Sequence, residues 1–136
     1  GFDDQIDMRP YLQKLCAALA GHIPPERGIA LKCDVDPLAL ARDRAMNIGL
    51  LVNEIITNSL KHAFEGRTEG TIAVRLNQAA DQLVLTVADN GIGMPETRRD
   101  GALGMRLINA LAHKERGEIT LETSPQGTSV KVAMPV

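Results

Sequence analysis

The spacing of apolar residues changes period several times along this chain, and each change marks an element. Leu12, Leu15, Cys16 and Leu19 recur at i, i+3, i+4 and i+7, the buried stripe of an amphipathic helix. Asp7 predicts its cap and Gly21 its end, with Pro10 tolerated in the first turn and Pro24-Pro25 beyond. From Gly28 to Asp36 the period falls to two. Ile29, Leu31, Cys33 and Val35 alternate there with Ala30, Lys32 and Asp34, as in a half-buried strand. A second helix is predicted from a cap at Asp43 to about Phe64. Met46, Ile48, Leu50, Leu51, Val52, Ile55, Ile56 and Leu60 make it apolar almost all round, which places it in the interior.

Beyond a polar loop at Glu65–Gly70, two alternating strands are predicted near Thr71–Asn77 and Gln82–Asp89, around a turn at Gln78–Asp81. Met94–Asp100 reads as a short polar segment. A third helix follows from about Leu103 to Lys114, with Leu103, Leu107 and Leu111 on one side. Strands near Glu118–Thr123 and Thr128–Met134 close the chain through the turn Ser124-Pro-Gln-Gly127. Hairpins with one polar face, plus three helices, predict an α+β domain. Its expected form is a two-layer sandwich, one mixed and mostly antiparallel sheet covered on one face by three helices. The whole of 1–136 is expected to be one domain, with 1–42 as a lead-in helix and strand and 43–136 carrying the chemical motifs.

Composition removes several classes of function. The 136 residues suit a single core, and the formal charge of −2 offers no basic footprint for nucleic acid or anionic lipid. Tyr11, Phe2 and Phe64 are the only aromatics, too few for a base-stacking platform. Cys16 and Cys33 both fall at apolar positions, which favours buried free thiols over a disulfide or a metal pair. No apolar run is long enough to span a bilayer and no signal peptide is visible, so a cytoplasmic protein without direct membrane insertion is expected. The first residue is Gly1 rather than Met, which suggests a piece of a longer protein.

Two stretches carry the chemistry. On the second helix Glu54, Asn58, Lys61 and His62 stand at i, i+4, i+7 and i+8, so they share a face. Burying a carboxylate, an amide and an ammonium costs several kcal/mol unless they meet partners, which a cleft with a ligand provides. Amide and carboxylate oxygens suit Mg²⁺, an ammonium suits a phosphate, and Glu54 can orient or deprotonate an attacking group. The competing explanation is a solvated helix face with an i, i+4 polar pair.

The second stretch is Asp89-Asn-Gly-Ile-Gly93. Asp89 continues the phase of Leu83, Leu85 and Val87, so its carboxylate points toward the core and needs a donor, such as the exocyclic amine of adenine. Gly91 and Gly93 let the backbone turn and approach a flat ring. Thr128 lies in phase with Val130, Val132 and Met134, where its hydroxyl can share a water or a base with Asp89. For Asp-Asn-Gly alone a hairpin turn is the commoner meaning, and for Thr128 alone a satisfied core threonine. Gly101 and Gly104 flank a further polar stretch before a helix start able to take phosphate oxygens, with Arg98 and Arg99 nearby in solvent or on a triphosphate. No Gly-x-x-x-x-Gly-Lys-Ser/Thr occurs, which excludes a P-loop enzyme.

These motifs resemble those of the GHKL superfamily, which includes gyrase, the heat-shock chaperone ATPase, sensor histidine kinases and MutL. Asn53-Glu-x-x-x-Asn58-x-x-Lys61-His62 resembles its N box and Asp89-x-Gly91-x-Gly93 its first glycine box. Ala102-Leu-Gly104-Met resembles the second glycine box and Gly127-Thr128 the last. The resemblance runs from about Asp43 to the C-terminus and implies the Bergerat ATP-binding fold. Within the superfamily the chain is similar to the catalytic domain of a bacterial sensor histidine kinase, in a subfamily with a short ATP lid. Ile6–Asp36 also resembles that subfamily's lead-in, including the Asp-x-Asp-Pro-Leu stretch at Asp34–Leu38. A related subfamily has a His in the N box and a Trp-x-Glu motif; here Asn53 replaces that His and Trp is absent.

The resemblance implies ATP and Mg²⁺ as cofactors, with Asn58 on the metal and Lys61 on a phosphate. Asp89 would accept from the adenine amine, with Thr128 on the same water network. His62, Gly91, Gly93, Gly101, Leu103, Gly104 and Met105 would belong to the nucleotide pocket and its lid. Glu54 matches the base of the hydrolysing members. The implied partners are a histidine-bearing dimerisation domain and a response regulator. His22, His62 and His113 lack the long helix and acidic neighbour of a phosphoacceptor, so the chain is expected to bind ATP without phosphorylating itself. An anti-sigma-type serine kinase on the same fold and a non-catalytic adaptor docking a response regulator are the alternatives.

Overall fold

The structure, a computed structural model, describes residues 4–95 and 103–136. A short strand β1 (Gln5–Asp7) leads into helix α1 (Met8–Ala20), strand β2 (Gly28–Val35), strand β3 (Ala39–Ala41) and the long helix α2 (Arg42–His62). The hairpin β4 (Glu69–Ala79) and β5 (Gln82–Asp89) follows, then α3 (Leu103–Lys114) and a second hairpin, β6 (Glu118–Ser124) and β7 (Gly127–Pro135). The main sheet has the order β2-β4-β5-β7-β6, with β2 parallel to β4 and every other pair antiparallel. The three helices lie on one face of this mixed sheet, the two-layer α+β architecture that alternation and helical period predict.

The core fills the space between the layers. Ile72, Val74 and Leu76 of β4, Leu83, Leu85 and Val87 of β5, and Val130, Val132 and Met134 of β7 point inward and are buried. Met8, Leu12 and Cys16 of α1 and Ile48, Leu51, Val52, Ile55 and Ile56 of α2 cover them. Tyr11 packs its ring over Gly49, where any β-carbon would strike it, so α1 and α2 approach closely there. Burial raises the Cys16 thiol to about 12, and burial also raises Cys33, so both stay protonated thiols at neutral pH. Both cysteines are free, but Cys33 is only half-buried.

Several expectations need correction. Asp7 occupies the N-cap position of α1 but its side chain makes no capping hydrogen bond. Asp43 does not cap α2; Ala41 stands at the N-cap and Asp43 sits in the first turn, where a carboxylate meets the positive end of the helix dipole. The two-stranded pairing of β1 with β3 was not anticipated, because three-residue strands are too short to show a period. Helix α2 is not buried all round: Met46 and Leu50 are 52% and 48% exposed. On α3, Leu107 is 45% exposed, and Met105, Ile108, Leu111 and Ala112 form the buried side. Of the predicted leucine stripe, Leu111 is therefore buried and Leu107 is not.

The candidate nucleotide-binding cleft

The inward rows of the sheet turn from apolar to polar at one end. Across β5, β7 and β6 the register aligns Val87 with Val130 and Leu121, then Asp89 with Thr128 and Thr123. The second row carries a carboxylate and two hydroxyls where core residues stand elsewhere. Helix α2 crosses above it with Glu54, Asn58, Ser59, Lys61 and His62, and α3 closes the side with Met105, Leu107 and Ile108. Together these residues line a cleft of about 540 Å³. The stripe Glu54, Asn58, Lys61, His62 lines this cleft together with Asp89, Gly93 and Thr128, with Lys61 exposed and the other three partly buried.

Asp89 is held by three protein donors. The Ser59 hydroxyl donates to Oδ2 at 3.0 Å, and the backbone N–H groups of Gly91 and Thr128 donate to Oδ1 at 2.9 and 3.3 Å. The carboxylate is thus satisfied without a ligand, contrary to the expectation that it needs one. A carboxylate has about four acceptor positions, so it retains capacity for a bound amine. Its orientation is fixed before anything binds, which is the condition for selective recognition.

The Asp-Asn-Gly triplet is not a hairpin turn. Asn90 accepts from the Thr71 N–H through its side chain at 2.8 Å, and the Ile92 N–H donates to the Ala63 carbonyl at 2.7 Å. The chain after β5 therefore folds back against the C-terminal end of α2. Gly91 is buried under Ala63, and a β-carbon there would run into the Ala63 backbone carbonyl. Gly93 has φ +90 and lies on the Ser124 carbonyl, so its backbone also excludes a side chain. Gly127 packs against the Asp89 carbonyl with φ +139, tying the last hairpin to the same corner.

Of the residues singled out by sequence, the structure brings Glu54, Asn58, Lys61, His62, Asp89, Gly93, Met105 and Thr128 to one cleft. Gly91 supports Asp89 from beneath. Asn53, one position before Glu54 and so off its helix face, does not line the cleft. Gly101, Arg98 and Arg99 lie outside the described residues, as does Ala102; Leu103 and Gly104 open α3, but their side chains are outside the description. Two residues were missed. Ser59 sits on the buried stripe of α2 between Ile55 and Ala63, and Thr123 is in phase with Ile119 and Leu121. Each is a polar residue at a core position, the signal that identified Asp89 and Thr128.

Among the described residues no cluster of three His, Cys, Asp or Glu side chains could hold a metal by itself. Mg²⁺ bound with phosphates needs only one or two protein oxygens, and the Glu54 carboxylate and Asn58 amide supply these on one wall. The donor set therefore fits a phosphate-borne Mg²⁺ and not a structural metal centre.

Comparison with known proteins agrees with this geometry. The family described as histidine kinase-, DNA gyrase B-, and HSP90-like ATPase matches residues 43–136. Blue-light-activated histidine kinase 2 of Erythrobacter litoralis (strain HTCC2594) is 32% identical over 138 residues, covering 98% of this chain and 40% of that protein. The solved histidine kinase domain from the Erythrobacter litoralis EL346 blue-light activated histidine kinase superposes with a TM-score of 0.86 at 32% identity, over 96% of this chain and 65% of that one. The serine-protein kinase RsbW of Listeria innocua serovar 6a is 43% identical over 82 residues, 48% of this chain and 52% of that protein. The chain thus spans only part of each relative's length. The family match includes all four motifs, and the chain belongs to the histidine kinase-, DNA gyrase B-, and HSP90-like ATPase family.

Proposed function

We propose that this chain is the ATP-binding catalytic domain of a sensor histidine kinase, a single domain over 1–136, acting on a histidine of a separate helical dimerisation domain. The supporting observation is the division of the cleft into two walls. Asp89, fixed by Ser59, Gly91 and Thr128, offers an acceptor to the exocyclic amine of adenine. Glu54, Asn58 and Lys61 stand on the opposite wall with the charges and oxygens that a triphosphate requires. Apolar Met105, Ile108 and Val130 complete the cleft and suit the faces of a base.

In this reading Asn58 holds the metal through its amide oxygen and the Lys61 ammonium neutralises a phosphate oxygen. Mg²⁺, when bound, supplies positive charge to the phosphoryl group in transfer. Glu54 accepts the N–H proton of the attacking imidazole, or orients that ring by the same hydrogen bond. His62 borders the base, and Gly104, at the start of α3, belongs with the nucleotide-binding residues. Positioning supplies most of the rate, because phosphoryl transfer needs little covalent help from the protein. His22 and His113 are exposed at the end of α1 and in the last turn of α3, away from the cleft lining. The phosphoacceptor is therefore assigned to another domain, with a response regulator downstream and the cytoplasm as the place of action. No described helix is long and apolar enough to cross a membrane.

Calorimetry with a non-hydrolysable ATP analogue tests the assignment. Asp89→Ala is expected to weaken binding about 10- to 100-fold, the value of a charged hydrogen bond. Asn58→Ala is expected to remove the magnesium dependence of binding and of turnover. Both variants should keep the native circular dichroism. Unchanged affinity and turnover in both would overturn the site. The similarity to the serine-protein kinase over half the chain supports a second reading, in which the acceptor is a serine on a partner protein. Acid-stable phosphate on the partner would favour serine, whereas acid-labile phosphate would favour histidine. Loss of nucleotide binding in the native chain would leave the adaptor reading.

A further inference from the structure

The polar row at the end of the sheet contains one side chain with no role so far. Thr123 stands opposite Thr128 in the β6–β7 register, and their hydroxyl oxygens are 2.9 Å apart. The same Thr123 oxygen accepts the backbone N–H of Met94 at 2.7 Å. Gly93, just before, is seated on the end of β6, with its β-carbon position 3.3 Å from the Thr123 oxygen. Thr123 therefore joins two walls of the cleft: the strand carrying Thr128 and the backbone turn carrying Gly93 and Met94.

A threonine hydroxyl has one proton to give. The Thr123 oxygen accepts from Met94 on one lone pair, and either hydroxyl can donate across the 2.9 Å contact between Thr123 and Thr128. If Thr128 accepts the Thr123 proton, its own is left to donate away from Thr123. Thr128 is 7% exposed and lines the cleft beside Asp89, whose Oδ1 also accepts from the Thr128 N–H. The corner then presents a donor next to a fixed acceptor. This is the complement of the adenine edge, where the ring nitrogen N1 accepts and the adjacent amine donates.

We propose that Thr123 is a positioning residue for base recognition. It orders the Met94–Thr123–Thr128 chain so that the Thr128 hydroxyl donates into the cleft, directly or through a water, to the ring nitrogen of adenine. This rests on the adenine-nucleotide reading above. Thr123 itself touches no base.

The test compares ATP with 1-deaza-ATP, which replaces the N1 acceptor by C–H, on the native chain, Thr123→Val, Thr123→Ser and Asp89→Ala. Valine keeps the shape and strand preference of threonine and removes the hydroxyl, and with it both the Thr128 contact and the acceptor of the Met94 N–H. Thr123→Val is expected to lose about five- to tenfold in ATP affinity, the worth of one neutral hydrogen bond. Its affinity for 1-deaza-ATP should match that of the native chain, and Thr123→Ser should restore ATP binding. The inference is overturned if Thr123→Val binds ATP like the native chain, if it loses the same factor for both nucleotides, or if serine fails to restore binding. Those outcomes leave the nucleotide reading intact provided the native chain binds ATP and Asp89→Ala binds it about 10- to 100-fold more weakly. A native chain that binds neither nucleotide removes the nucleotide reading, and this inference with it.

Discussion

Gly91 shows how far a single position is constrained by its neighbours. Its N–H donates to Asp89 at 2.9 Å, and a β-carbon would meet the Ala63 backbone, which cannot rotate away as a side chain does. Ile92 also donates to that Ala63 carbonyl. We expect Gly91→Ala to cost about 2 to 4 kcal/mol, as overpacking plus a displaced hydrogen bond. The urea midpoint should fall with an unchanged slope; a midpoint equal to that of the native chain would mean the loop shifts freely away from α2. Part of this constraint is legible in the sequence, because a glycine after an inward aspartate signals close approach. The identity of what approaches is not, since Ala63 lies 28 positions earlier and only folding sets the two together. Ser59 and Thr123 were overlooked for a related reason: Ser and Thr are common on any surface, and their meaning came from the carboxylate and hydroxyl they face.

At the scale of elements, regular alternation proved the dependable signal. Strands β2, β5 and β7 fall within a residue or so of their predicted limits, as does α3, because each carries a sustained period of two or 3.6. What failed was the assignment of faces to α2. Counting apolar residues around the helix gave a buried cylinder, but a two-layer sandwich covers only the side toward the sheet. Met46 and Leu50 remain in solvent, while Ile56 is fully buried against the core. Stability should follow this division. Ile56→Ala is expected to cost about 2 to 5 kcal/mol, through lost transfer energy and a residual cavity. Met46→Ala should stay within about 0.5 kcal/mol of the native chain. Thermal or urea unfolding of the two variants checks the point; equal losses would mean that the exposed face of α2 is covered in solution.

At the scale of the whole molecule, the cleft draws on both halves of the fold at once. Helix α2 supplies one wall, while β5 and β7 supply the floor and α3 the side. A ligand seated there bridges helix layer and sheet layer, so it binds the folded chain and has no site in the unfolded one. Binding then adds RT ln(1 + [L]/Kd) to stability, about 2.7 kcal/mol when the ligand is at a hundred times its dissociation constant. For a domain of this size the melting temperature should rise by roughly 10 °C. The split between the two walls makes the shift divisible. ATP without magnesium should give a smaller rise, because Asn58 and Glu54 then have no cation to share with the phosphates. Adding magnesium should complete the rise in the native chain but leave Asn58→Ala at the magnesium-free value. Asp89→Ala should lose much of the rise in either condition, since the contact proposed for Asp89 is to the base and not to the phosphates. Differential scanning fluorimetry of the three proteins, with and without magnesium, separates these outcomes. Equal magnesium-dependent rises in the native chain and Asn58→Ala would show that the metal is held elsewhere.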